Sequence, residues 1–231
     1  LPVLKGLRLM WENGPFKRLV LSFMLSSIGL AITTPLYIFF IKYVLNAEAQ
    51  APYMLMFFYA ASLLSIPAWM ALARRVGKHP AYMASFVLIG CAHPFYLLLG
   101  EGDFWWMLPI TLATGIAAGG FSAMLPNAMK ADVIDLDELS SGENRAAFFF
   151  SSWSFAQKFC GSFGGAIAIF GLAIFGFQTG PDAINGPDEL FALRFLFSPF
   201  PSIFYLGAAL MIWKYPITEA RDAEIHAQLE Q

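Results

Sequence analysis

Long uncharged stretches alternate with short charged segments along the whole chain. Five of the gaps between formally charged residues hold 19 to 26 residues each, at positions 19–41, 49–73, 79–100, 104–129 and 195–213. A sixth stretch, residues 146–181, contains a single charge, Lys158. A helix needs about 20 apolar residues to cross a bilayer, so each stretch can supply one span. The pattern predicts an all-α membrane protein with six transmembrane helices.

The predicted spans extend close to the limits of these stretches. They cover residues 16–45, 53–73, 80–99, 104–129, 148–177 and 191–213. Residues 1–15 would form a cytoplasmic N-terminal segment, residues 16–215 the six-helix bundle, and residues 216–231 a cytoplasmic tail. The first span is too long for a cleavable signal peptide, and no small-residue cleavage site follows it.

Basic residues are divided unequally between the two sides of these spans. Eleven of the 14 lysines and arginines lie in the N-terminal segment, the second and fourth loops or the tail, whereas Lys42 and Arg194 lie in the other loops. Positive residues favour the cytoplasmic side of a membrane. We therefore expect both termini in the cytoplasm. As a separate expectation, the membrane is a bacterial inner membrane.

Composition supports a membrane protein and gives little sign of other chemistry. Hydrophobic residues make up 58% of the chain and charged residues 13%, about half the charged share of a soluble domain. Cys91 and Cys160 fall within spans, where they suit packing better than a disulfide or a metal site. No basic aromatic patch indicates nucleic acid, and no hydrolase, metalloprotease or P-loop motif occurs. We expect neither an enzyme nor a resident cofactor.

The charge in the fifth span, Lys158, is the first candidate for function. At about 1.5 Å per residue it lies roughly 18 Å beyond Ala146, near the middle of a hydrocarbon layer about 30 Å thick. An ammonium group at that depth costs at least about 2.5 kcal/mol, so it is normally found facing protein or water. The alternative is that the side chain extends to an interface.

Small and polar residues surround Lys158. They recur at intervals of three and four and so share one helix face, which comprises Ser151, Ser154, Lys158, Gly161 and Gly165. Such a face is typical of a helix that lines a water-filled crevice. Trp153 and Gln157 lie on an adjacent strip, where an indole can stack on a sugar ring or acyl chain and an amide can donate and accept hydrogen bonds. Trp153 could instead face lipid or a neighbouring helix.

The fourth loop carries an acidic pair. A helix continuing from the fourth span would place Asp132 and Asp135 on one face, with Arg145 a short loop away. These charges either form a network that holds the helices in one conformation or belong to an ordinary solvated loop. His93, inside the third span, either relays protons or is hydrogen-bonded to a neighbour.

A family resemblance is carried by the fourth loop and fifth span. The run ADVIDLDELSSGENRAAFFFSSWSFAQK, residues 131–158, resembles the signature of the glycoside–pentoside–hexuronide:cation symporters, the melibiose-carrier group of the major facilitator superfamily. NGPFKRLVLSFML at 13–25 resembles the start of that family's seventh helix, and RRVGKH at 74–79 resembles the basic turn between its eighth and ninth helices. The resemblance implies that the chain is one half, helices 7–12, of a twelve-helix transporter.

The resemblance also implies roles for single residues. The lysine matching Lys158 lies beside the cation and sugar sites of the family, and the positions of Trp153 and Ser154 face the substrate cavity, with Gln157 beside them. The aspartates matching Asp132 and Asp135 join cytoplasmic gating contacts, with Arg145 in the same network. This chain departs from the family pattern at two places. Ala123 stands where the sugar-binding members have a tryptophan, and residues 144–146, Asn-Arg-Ala, stand where many members have a basic pair followed by an acid.

These features lead us to expect a cation-coupled symporter of a sugar or related small solute. The coupling cation, sodium or a proton, would be bound mainly by an N-terminal half. A lysolipid or another amphipathic solute stays open, because lysophospholipid symporters of the same superfamily have a comparable loop after a turn like Met124-Leu125-Pro126. A non-transporting half-length subunit is the third alternative. The expected partners are the solute, the bilayer, and a six-helix N-terminal half or a second membrane subunit.

Overall fold

Six helices dominate the part of the chain that the structure describes. The computed structural model describes residues 13–180, 183–213 and 215–216, so nearly all of the predicted N-terminal segment and tail lies outside the described residues. The helices that are long and apolar enough to cross a membrane are α1 (Gly14–Val44), α2 (Glu48–Val76), α3 (Lys78–Leu98), α4 (Phe104–Ser141), α5 (Ala146–Ile174) and α6 (Pro187–Ile212). The predicted all-α fold with six spans is confirmed.

Helix boundaries have local causes. The Asn13 side chain accepts a hydrogen bond of 3.0 Å from the Phe16 N–H, which satisfies one of the free donors in the first turn of α1. α4 passes the predicted end of its span at residue 129 and stops before Gly142, whose φ of +68° is a left-handed conformation that glycine adopts readily. Asp132 and Asp135 of the predicted fourth loop therefore belong to α4.

Several of the helices depart from regular α geometry. α1 ends in a π-helical segment, Phe40–Val44, and α4 contains another, Gly120–Met124. α3 ends in a 3₁₀ segment, His93–Leu98, and α6 is interrupted at Ser198. The two irregular places support each other, because the Ser198 hydroxyl donates to the His93 carbonyl at 2.9 Å.

Small residues set the closest approach between helices. A Cβ atom at Gly164 of α5 would lie 2.6 Å from the Cβ of Ala31 on α1. One at Gly115 of α4 would lie 2.6 Å from the carbonyl oxygen of Phe58 on α2. In lipid, where the hydrophobic effect does not drive helices together, such close packing stabilises the bundle. Gly164 and Gly115 therefore serve close packing between helices.

Two helices present most of their surface outward. α1, α3, α4 and α6 bury 44–53% of their most apolar 18-residue windows, whereas α2 buries 11% and α5 buries 22%. The interior consists of one cluster around Tyr82 and Tyr205 and another around Phe40 and Phe197. The helix with the intramembrane Lys158 is thus one of the two least covered helices.

Candidate functional site

The polar face of α5 lies on the outside of the six-helix bundle. Ser151, Ser154 and Lys158 are exposed, and a Cβ atom at Gly161 or Gly165 would meet open space. This face is not used for packing within the described residues, unlike the nearby Gly164. The two glycines, which have no side chain, leave room beside the hydroxyl and ammonium groups for a solute or for another helix.

Lys158 has no carboxylate partner within 4.0 Å among the described residues. Gln157 is exposed beside it, and Ser154 lies one turn earlier on the same surface. Three of the predicted cavity residues are therefore brought together. An ammonium group in the middle of a span requires water, a ligand or an acidic group from elsewhere.

Trp153 points inward, away from this surface. Its side chain is buried, and its ring centroid lies 4.0 Å from that of Phe23 on α1. The indole thus packs between α5 and α1, as in the neighbouring-helix alternative. The cavity role that the family resemblance implies for Trp153 stays a prediction.

A second lysine lies behind the same face, and sequence patterns did not single it out. Lys130 of α4 is buried, with only 5% of its surface exposed. Its Nζ donates to Asn127 Oδ1 at 3.0 Å and lies 4.6 Å from the ring centroid of Phe150 and 4.8 Å from that of Trp153. Both ring distances are in the range of cation–π contacts. The signal in the sequence was that the fourth helix could continue beyond Lys130, which would place Lys130 inside α4 and not at its end.

Asp132 and Arg145, two of the charges predicted for gating, each form an ion pair, but not with each other. Lys78 Nζ, at the start of α3, lies 2.8 Å from one Asp132 carboxylate oxygen and 2.9 Å from the other. Arg145 Nε lies 3.2 Å from Asp137 Oδ2. Asp135 is half-buried one turn after Asp132. These ion pairs join α3 to α4 and α4 to the start of α5, and their gating role stays a prediction.

Lys78 and Asp137 are site residues that sequence reasoning missed. Lys78 belongs to the basic turn at 74–79 and Asp137 to the acidic end of α4. The signal was present, since both segments were assigned to the same side of the membrane and carry opposite charges. The specific pairs depend on how the helices pack, which spacing along one helix does not define.

A cavity of about 260 Å³, lined mainly by apolar side chains and by a few hydroxyl groups, lies among α1, α2, α3, α4 and α6. Tyr96 Oη lies 3.2 Å from Thr111 Oγ1 and 3.3 Å from Thr114 Oγ1. His93 is buried with Nδ1 3.3 Å from the Ser198 carbonyl oxygen, so the hydrogen-bonded alternative describes this histidine. None of the described residues that line the cavity carries a formal charge. The cavity can hold small, uncharged polar groups.

Metal-ligating side chains are dispersed in the described part of the chain. No group of three or more His, Cys, Asp or Glu residues there could hold a metal ion. Cys91 is exposed, Cys160 is buried, and both are free thiols.

The chain is similar to known transport proteins over nearly its full length. The family described as MFS/sugar transport protein matches residues 1–219. Identity is 30% over 232 residues to sodium-dependent lysophosphatidylcholine symporter 1-A of Danio rerio and 29% over 225 residues to sodium-dependent lysophosphatidylcholine symporter 1 of Homo sapiens. It is 26% over 200 residues to the glucuronide carrier protein homolog of Escherichia coli.

The relatives are much longer than this chain. The three matches cover 98%, 94% and 84% of the chain but only 42%, 40% and 42% of the relatives. The chain thus spans less than half the length of the curated relatives it matches.

Proposed function

Because the chain belongs to the MFS/sugar transport protein family, we propose that it is the C-terminal half of a cation-coupled symporter for a sugar or related small solute. Relatives that are named symporters or carriers support this proposal and argue against an enzyme. The observation that carries it is Lys158, an ammonium group in mid-span on an exposed polar face, without an acidic partner among the described residues.

A second membrane body is part of the proposal. α2 and α5 are the least buried helices, and the relatives are more than twice as long as the match. We propose that an N-terminal six-helix half, a separate subunit or a second copy covers these helices. The solute would then cross between the two bodies. The coupling cation, sodium or a proton, would bind mainly to acidic groups of the other half.

We propose that the protein lies in a bacterial inner membrane with both termini in the cytoplasm. The orientation rests on the eleven basic residues that share one side. The ion pairs of Asp132 with Lys78 and of Arg145 with Asp137 would then lie at the cytoplasmic end, together with Asp135. There they would break and re-form as the two halves move.

An amphipathic solute, such as a lysolipid, is the second candidate. Phe155, Phe159 and Phe163 form an exposed ladder on α5, with ring centroids 6.3 Å and 6.0 Å apart and interplanar angles of 20° and 7°. The ladder runs beside Lys158. Three stacked rings next to an ammonium group suit an acyl chain with a polar head, and two relatives are lysophosphatidylcholine symporters.

Uptake into proteoliposomes tests the proposal. The natural protein that contains this chain would be reconstituted and given a labelled glucuronide or lysophosphatidylcholine, with and without an inward sodium or proton gradient. We expect gradient-dependent uptake of one solute and a loss of at least about tenfold in Lys158→Ala, the order expected for one charge-assisted contact. Lys42→Ala is the control, because it also removes a lysine, but one on α1 that lies away from the α5 face and 3.6 Å from Glu48.

Three results separate the alternatives. Uptake of the glucuronide alone favours the sugar-type solute, and uptake of lysophosphatidylcholine alone favours the amphipathic one. If no cation gradient drives uptake, and Lys158→Ala behaves like the wild type in every assay, the symporter proposal fails and a non-transporting subunit is favoured.

A further inference from the structure

Lys130 carries a charge inside the bundle that the described residues do not neutralise. No described carboxylate lies within 4.0 Å of its Nζ. The acid closest in sequence, Asp132, is held by Lys78 on another helix. A buried charge without an opposite charge is strongly unfavourable, and charged residues within membrane spans usually serve a substrate or ion pathway. The Lys130 ammonium group therefore requires a partner from outside these residues.

Only one layer of side chains separates Lys130 from the outer surface of α5. Its ammonium contacts Asn127, which is exposed, and Phe150, which is 52% exposed. One of its three N–H donors is used by Asn127, and the remaining contacts are to aromatic faces. Such faces hold an ammonium less strongly than an anionic oxygen does. A rotation of the Phe150 side chain would exchange a ring for a ligand oxygen.

The surface above Lys130 is continuous with the Lys158 face. Phe150, Ser154 and Lys158 follow at intervals of four, so they form one stripe along α5. At 1.5 Å per residue, the level of Phe150 lies about 12 Å from the level of Lys158 along the helix. A solute lying along this stripe can reach both ammonium groups.

We infer that Lys130 binds an anionic group of the transported solute, a carboxylate or a phosphate, which enters by displacing the Phe150 ring. This inference rests on the proposed function and narrows it to solutes that carry such a group. The printed names of the relatives agree with it, because a glucuronide carries a carboxylate and lysophosphatidylcholine carries a phosphate.

Binding of matched probes to the purified natural protein, without an ion gradient, tests the inference. One pair is 4-nitrophenyl β-D-glucuronide and 4-nitrophenyl β-D-glucoside, which differ in a carboxylate. The other is a lysophosphatidic acid and the monoacylglycerol with the same chain, which differ in a phosphate. We expect the wild type to prefer the anionic member of at least one pair by on the order of 10- to 100-fold. The pair that shows the preference identifies a carboxylate or a phosphate as the ligand.

Variants assign the preference to Lys130. Lys130→Gln should reduce this preference to less than about threefold, because it removes the positive charge that binds the anion. Lys130→Arg keeps the charge and should retain most of the preference. Phe150→Ala uncovers the ammonium group without removing it, so the anionic probe should bind at least as tightly as to the wild type. Phe150→Ala also provides the test if Lys130→Gln does not fold.

Four results would overturn the inference. The first is a wild type without an anion preference in either pair, and the second is a Lys130→Gln variant that keeps the preference. The third is a Lys130→Gln variant that binds both probes of a pair more weakly by the same factor. The fourth is a Phe150→Ala variant that loses the preference. Equal loss would mean that Lys130 serves an acidic residue or packing. Cation-driven uptake is measured separately, so its survival in these cases leaves the proposed function intact.

Discussion

Lys78 and Asp132 form a two-pronged ion pair between α3 and α4. Lys78 Nζ lies 2.8 Å and 2.9 Å from the two carboxylate oxygens. The side chains are 27% and 10% exposed, so solvent screens the pair only in part. Because Lys78 is in the first turn of α3, the pair fixes the tight connection at Gly77 against the acidic part of α4.

Asp132→Asn should destabilise the protein by about 1–3 kcal/mol, because it removes the charge that neutralises a half-buried ammonium group. Unfolding of the purified protein in detergent measures the change. Glu48→Gln is the control, since the Lys42–Glu48 pair is 30% and 60% exposed and should contribute less than about 1 kcal/mol. Equal effects of the two substitutions would contradict a structural role for the Lys78–Asp132 pair.

Two glycines of α5 should respond in opposite directions to the same substitution. Gly164→Ala brings a Cβ to 2.6 Å from Ala31 and should destabilise the α1–α5 contact by about 1–3 kcal/mol. Gly161→Ala adds a Cβ in open space and should stabilise the helix by about 0.5–1 kcal/mol. Thermal unfolding of the two variants compares them directly. A Gly164→Ala variant as stable as Gly161→Ala would show that the helices do not pack as described.

Two buried tyrosines that line the cavity among α1, α2, α3, α4 and α6 offer a similar comparison. The Tyr96 hydroxyl lies near those of Thr111 and Thr114, so Tyr96→Phe should cost about 1 kcal/mol. The Tyr205 hydroxyl makes no hydrogen bond of standard geometry with the described residues, so Tyr205→Phe should be neutral or slightly stabilising. Denaturant unfolding distinguishes the two. A larger loss for Tyr205→Phe would indicate a water or solute held by that hydroxyl.

The 231-residue chain by itself should not carry out coupled transport. Its Lys158 face is open in the isolated bundle, and an open face encloses no solute path. Reconstitution of this chain alone should give vesicles with no gradient-dependent uptake, whereas reconstitution with the partner half should restore it. Coupled uptake by a monomeric chain would contradict the two-body arrangement.

The number of helices and the polar face of α5 could be predicted because each depends on one helix at a time. Six uncharged stretches define six spans, and intervals of three and four place Ser154 and Lys158 on one side. Burial along α5 then follows the same periodicity. Local sequence was sufficient for these features.

Features that depend on contacts between helices could not be predicted in this way. Spacing left open whether Trp153 faces a cavity, lipid or a neighbouring helix, and its ring lies against Phe23 on α1. Lys130 looked like the charge that ends a span, but α4 continues to Ser141 and the ammonium packs against rings of α5. The partners Lys78 and Asp137 became evident only when the packing of α3, α4 and α5 was known.

The most direct test of the central claim asks whether the Lys158 face of α5 borders water or lipid in the assembled protein. Ser154→Cys and Phe170→Cys, both exposed on α5, would be labelled in membranes with a water-soluble maleimide after Cys91 and Cys160 are replaced. We predict labelling of Ser154→Cys at least about tenfold faster, since a thiol must reach water to ionise and react, with protection by the transported solute. Equal rates at the two positions, unaffected by solute, would contradict a solute path along this face.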